Sequence, residues 1–198
     1  MARWELAGWL TQTKRRGVIA LIVFIGAGIP LYLGIKAADW VSDPALLPSG
    51  ALAPNLAGRT LEGGSFDGIY GGRVRVYVFV DPLLTSAAEQ GEAIQAWNER
   101  WTDGRVLVMA ILLGQDEARQ RKWVTRYRLN PARVVLDREG VLTARFHLDY
   151  PPAVYVLDGL NFVRFAAKKA VRPDSRELIK AVEEYQVEPT RRLTRDLP

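Results

Sequence analysis

Hydrophobic patterning divides the chain into three stretches of different character. The first is "GVIALIVFIGAGIPLYLGI", Gly17 to Ile35, which carries no charged side chain. A run that is apolar on every face predicts a membrane-spanning helix, here over 17–36, rather than an amphipathic helix lying on a core. Its helical length of about 28 Å is close to the hydrocarbon thickness of a bilayer. The second stretch, 37–72, is rich in Gly, Pro, Ser and Ala. "SDPALLPSGALAP" reads as a linker. "NLAGRTLEGGSF" reads as a short hairpin, with Gly63-Gly64 able to take positive φ.

The third stretch, 73–186, alternates strand and helix signals. "VRVYVFV" (Val74–Val80) is β-branched or aromatic at most positions and predicts a strand. A helix follows from Ser86 to Trp101, with Ser86 and Glu89 in capping-box spacing and Ile94, Trp97 and Trp101 at helical intervals facing a core. "VLVMAILL" (Val106–Leu113) is a continuous apolar run, as in a central strand covered on both faces. A charged helix spans Asp116 to Tyr127. Strands are predicted at Arg133–Asp137, Ala153–Asp158 and Phe162–Ala166, the last two joined through Asp158-Gly159. A closing helix starts near Asp174 and buries Leu178, Ile179, Val182 and Tyr185. This order predicts an α/β sandwich around a mixed sheet.

Charge adds an orientation. Of the net +5, most sits in residues 1–16, where Arg3, Lys14, Arg15 and Arg16 oppose Glu5. Positive residues just before the apolar run place 1–16 in the cytoplasm and everything after residue 36 outside. Trp9 and Trp40 are placed as interfacial anchors on the two sides. A cleaved signal peptide fits less well, because Lys36 and Ile35 occupy the −3 positions for cleavage after Ala38 and Ala37. Within the run, Pro30 presses on the carbonyl of Gly26, and Gly26 and Gly28 leave a small-residue surface beside it. Such a surface suits close contact with a neighbouring membrane helix, although a lipid-facing helix with a tolerated proline fits equally. The remainder of the chain is nearly balanced in charge and has no basic stripe interleaved with aromatics, so no nucleic-acid partner is expected. The segment 187–198 is a basic tail with Arg191, Arg192 and Arg195.

Four segments, in order, resemble the thioredoxin-like superfamily, specifically its membrane-anchored thiol–disulfide oxidoreductases and peroxiredoxin-like redoxins. They are "APNLAG", "VYVFVDPLLTSAAEQ", "RYRLNPARVVLDREG" and "YPPAVYVLDG". The resemblance covers about Ala53 to Tyr185. It implies a thioredoxin-like sandwich, with Leu84 and Ala87 standing where the family carries its two cysteines. It also implies a cis peptide bond at Pro151–Pro152, facing the same site.

The chain contains no cysteine. Thiol–disulfide exchange needs one thiolate to attack and another to leave, and thiol peroxidase chemistry needs a sulfur to oxidise, so both are closed to it. Little else is available. His147 is the single histidine, expected near a strand end, and one histidine makes no zinc site without several carboxylates. Ser86, His147 and Asp81 have no spacing that supports a triad, and Asp81-Pro82 reads as turn chemistry. No Walker or dinucleotide motif is present. The expectation is therefore a protein with no catalytic residues, metal or cofactor. In its place stands a docking face made of Asp81, Pro82, Leu83, Leu84, Ala87, Tyr150, Pro151 and Pro152. The functional expectation is an accessory subunit of a membrane protein complex, single-pass in a bacterial inner membrane with its main domain periplasmic. Its partners would be the other subunits and the lipid bilayer. The alternative is an assembly factor or holdase for exported or membrane proteins.

Overall fold

The computed structural model describes residues 46–68 and 72–186. The predicted membrane helix, its contact residues Gly26, Gly28 and Pro30, the segment 1–16 and the tail 187–198 lie outside the described residues. Among the described residues no helix is long and apolar enough to cross a membrane.

Among the described residues seven strands form one mixed sheet. They are β1 (Gly58–Thr60), β2 (Ser65–Phe66), β3 (Val74–Val80), β4 (Val106–Leu113), β5 (Val134–Asp137), β6 (Ala153–Leu157) and β7 (Val163–Ala167). Their order across the sheet is β2-β1-β5-β4-β3-β6-β7. The three central strands β5, β4 and β3 are parallel, joined by the crossover helices α1 (Ala87–Arg100) and α2 (Glu117–Arg126). β6 and β7 add antiparallel on one side, and the β1–β2 hairpin adds antiparallel on the other. α3 (Val141–Arg145) lies between β5 and β6, and α4 (Arg176–Tyr185) closes the chain.

The apolar runs explain the centre. Every residue of β3 is buried, and so is every residue of β4 except Leu113, because the sheet is covered on both faces. On one face Val76, Val78, Val108 and Ala110 meet Ile94, Trp97, Trp123 and Leu178 from α1, α2 and α4. Two indoles in this layer find carbonyls: Trp97 Nε1 donates to Pro173 O and Trp123 Nε1 to Ala87 O, both at 3.1 Å. On the other face Tyr77, Phe79 and Tyr155 pack around Phe146, with the Phe79 and Tyr155 rings centred 5.2 and 5.3 Å from it. Each fully buried side chain of this size contributes about 1.5–3 kcal/mol through burial.

Several expectations change. The packed body begins earlier than the linker reading allowed: Leu47, Ala53 and Leu56 belong to the second core layer. Proline and glycine punctuate this segment, but its apolar residues fall where they can close the open side of Tyr155. The hydroxyl of Tyr155 accepts from Leu47 N (3.3 Å) and donates to Phe146 O (2.7 Å). No periodic pattern predicts α3; its first turn is held by the buried Asp137 carboxylate, which accepts from Leu142 N, Thr143 N and Thr143 Oγ1. His147 consequently follows a helix instead of ending a strand, with φ of 55°. Ser86 does not cap α1: it has helical backbone angles and makes no side-chain cap hydrogen bond, because the turn before it is already wound. The closing helix starts at Arg176, capped by Ser175, and buries Leu178 and Val182 fully, with Ile179 and Tyr185 half-buried.

Candidate functional site

The site is built where β3 ends and β6 begins. Phe79 pairs with Ala153, so the chain leaving Val80 and the turn entering Ala153 emerge side by side at one end of the sheet. Val154 pairs with Ala167, which brings the end of β7 to the same edge. Beyond Val80 the chain winds tightly. Asp81 Oδ1 accepts from Leu83 N (2.9 Å), Asp81 O accepts from Leu84 N (3.0 Å), and Leu84 O accepts from Ala87 N (3.0 Å). Asp81 thus serves the turn, as aspartate before proline commonly does. Across from it, the Pro151–Pro152 peptide bond is cis, as the resemblance implied.

The face has an apolar rim and a closed floor. Leu83, Leu84 and Tyr150 are 65%, 40% and 60% exposed, three of the few large apolar side chains among the described residues that face solvent. Asp81, Pro82 and Pro152 are half-buried. Two residues assigned to this face turn inward instead. Pro151 is buried, and Ala87 is 4% exposed because its backbone lies under the Trp123 indole. Lys168, just beyond the end of β7, supports Tyr150: its ammonium stands 4.9 Å from the ring centre and bonds Asp149 Oδ2 at 2.9 Å. Nothing in the sequence pointed to Lys168 or Asp149, since only the β6–β7 pairing brings position 168 back beside 150. Alongside runs an open groove of about 710 Å³ between Glu89 on α1 and the loop from Lys168 to Ser175.

The Asp81 carboxylate is engaged by Leu83 N, and no hydrogen bond among the described residues joins it to Ser86 or His147. Among the described residues no group of three or more His, Asp or Glu could hold a metal ion. Behind this face the Tyr155 hydroxyl has its pKa pushed above the ordinary value by burial, partly offset by its bond to Leu47 N.

No family profile matches the sequence, and no curated protein does. Solved structures do match the fold. A secreted Mycobacterium tuberculosis disulfide oxidoreductase homologous to E. coli DsbE aligns over 66% of this chain and 96% of its own, at 21% identity and a TM-score of 0.56. The thioredoxin domain of a thiol-disulfide oxidoreductase from Bacteroides vulgatus covers 70% of this chain and 98% of its own, at 17% identity and a TM-score of 0.58. A thioredoxin family thiol:disulfide interchange protein from Chlorobium tepidum covers 73% and 99%, at 15% identity and a TM-score of 0.57. At such identities the likeness speaks for the fold alone. By its strand order, its helix placement and these neighbours, this chain has a thioredoxin-like fold, and it has that fold without a single cysteine.

Proposed function

We propose that this protein is a non-catalytic, membrane-anchored subunit that docks within a larger membrane complex through the surface where its structural neighbours carry redox chemistry. The observation that carries the reading is the exposed set Leu83, Leu84 and Tyr150, at a sheet edge with no thiol. Exposed apolar side chains grouped on one edge cost solubility and are usually covered by a partner. In this reading 17–36 is the anchor, Gly26, Gly28 and Pro30 offer a second contact within the bilayer, and the domain lies on the periplasmic side of a bacterial inner membrane. Confinement to the membrane plane raises the effective concentration at the partner, so a small patch suffices.

The test is gentle detergent extraction of membranes, purification through a tag on this chain, and identification of the co-migrating proteins. The expected result is one complex at constant stoichiometry. A variable set of clients in substoichiometric amounts would replace the subunit reading by that of an assembly factor or holdase.

A further inference from the structure

A second exposed apolar pair lies at the opposite end of the sheet. Leu52 is 64% exposed and Leu160 is 70% exposed. Leu52 faces Phe162 across an isolated bridge, and Leu160 precedes Phe162 in the β6–β7 turn, so the pair shares one corner. That corner is tightly built. Asp158 Oδ1 accepts from Leu160 N and Phe162 N at 2.9 and 3.0 Å, and its other oxygen is held by Arg164 at 2.6 Å. Asn161 clamps the neighbouring segment, donating from Nδ2 to Ala53 O at 2.6 Å and accepting at its own carbonyl from Ala53 N at 2.9 Å. The turn therefore presents leucine at a tip where polar residues usually stand.

We propose that Leu52 and Leu160 form an apolar foot that rests in the headgroup region of the lipid bilayer; this rests on reading 17–36 as a membrane anchor. The short tether selects lipid as the occupant. Residues 37–45 separate the anchor from the first described residue, and nine residues reach no further than about 32 Å even when fully extended. Leu52 lies on the segment that this tether leads into. A bilayer surface asks for no shape complementarity, and a tethered domain needs little contact area to hold an orientation. Because β3 runs from this end to the other over about 20 Å, a foot here turns Leu83, Leu84 and Tyr150 away from the lipid and towards the extramembrane part of a partner.

The absence of cysteine makes the test direct, because any introduced thiol is unique. Leu52→Cys, Leu160→Cys and, as a control at the far end, Leu83→Cys are made in the full-length protein and labelled with a fluorophore. The proteins are reconstituted in vesicles of phosphatidylethanolamine and phosphatidylglycerol, with and without brominated lipid. Quenching at positions 52 and 160 about twofold or more above that at position 83 is the expected result. Equal quenching at all three positions, in protein that resists alkaline carbonate extraction, would overturn the foot while leaving the anchor intact. Release of the protein by carbonate would remove the anchor, and the foot with it.

Discussion

Gly91 in α1 lies so close beneath the ring of Tyr127 that a Cβ placed on it would fall 2.4 Å from Cδ2. A glycine inside a helix costs roughly 0.5–1 kcal/mol relative to alanine, so propensity does not explain its presence. Close approach does: α2 can reach α1, and Trp123 can reach Ala87 O, only where a side chain is missing. Gly91→Ala should therefore destabilise the domain, by about 1–3 kcal/mol from overpacking against a ring that is 6% exposed. Urea unfolding measures this, and a midpoint equal to or above the parent's would mean that the ring yields freely.

The Tyr155 hydroxyl joins Leu47 N to Phe146 O across the second core layer. Burial raises its pKa above the ordinary 10.0. A raised value in the folded state means that the neutral hydroxyl is favoured by folding. Its contribution is complete below the unfolded value and is lost as pH rises through the folded one. Tyr155→Phe should cost about 1–3 kcal/mol at neutral pH, by leaving a buried carbonyl and N–H short of a partner. It should also flatten the loss of stability above about pH 10. Parallel stability curves for the two proteins over that range would show that the hydroxyl is not responsible for the alkaline loss.

With no sulfur to exchange, the purified protein should not reduce insulin, and its melting temperature should be the same with and without a strong thiol reductant. Turnover above the uncatalysed rate in a disulfide-reduction assay would require a chemistry that this face does not display.

Leu84→Asp tests the proposed docking face. The side chain is 40% exposed in the free domain, so the fold should survive, as circular dichroism can verify. Covering a leucine at an interface is worth about 1.5–3 kcal/mol, and a charge left there costs more. Binding to the proposed complex should fall by about tenfold or more. Co-purification at parental stoichiometry and salt resistance would clear this edge, and contact would then be sought at Gly26–Pro30 or in the arginine-rich tail.

Local sequence carried much of the fold. β3 and β4 begin and end where their apolar runs do, and α2 falls within the predicted Asp116–Tyr127 with Asp116 as its cap. Periodicity and apolar runs report burial, and burial decides such elements. The cis bond at Pro151–Pro152 was implied by resemblance, not by spacing. α3 was missed because its start is set by the Asp137 carboxylate reaching Leu142 and Thr143, a contact that leaves no periodic trace in five residues. Ser86 matched a capping signature and does not cap, because a turn held by Asp81 winds the chain into helical angles beforehand.

The site divides in the same way. That Leu83 and Leu84 occupy a loop without a thiol is a property of the sequence, since composition alone removes the reactive group. Which residues of that loop face solvent was decided by packing. Ala87 is drawn under Trp123 from α2 and Pro151 is buried just before β6, while Tyr150 is held outward by Lys168. These partners are distant along the chain and become neighbours only through the β3–β6–β7 register. Pairing of that kind depends on the free energy of the whole sheet, so no local pattern of residues announces it.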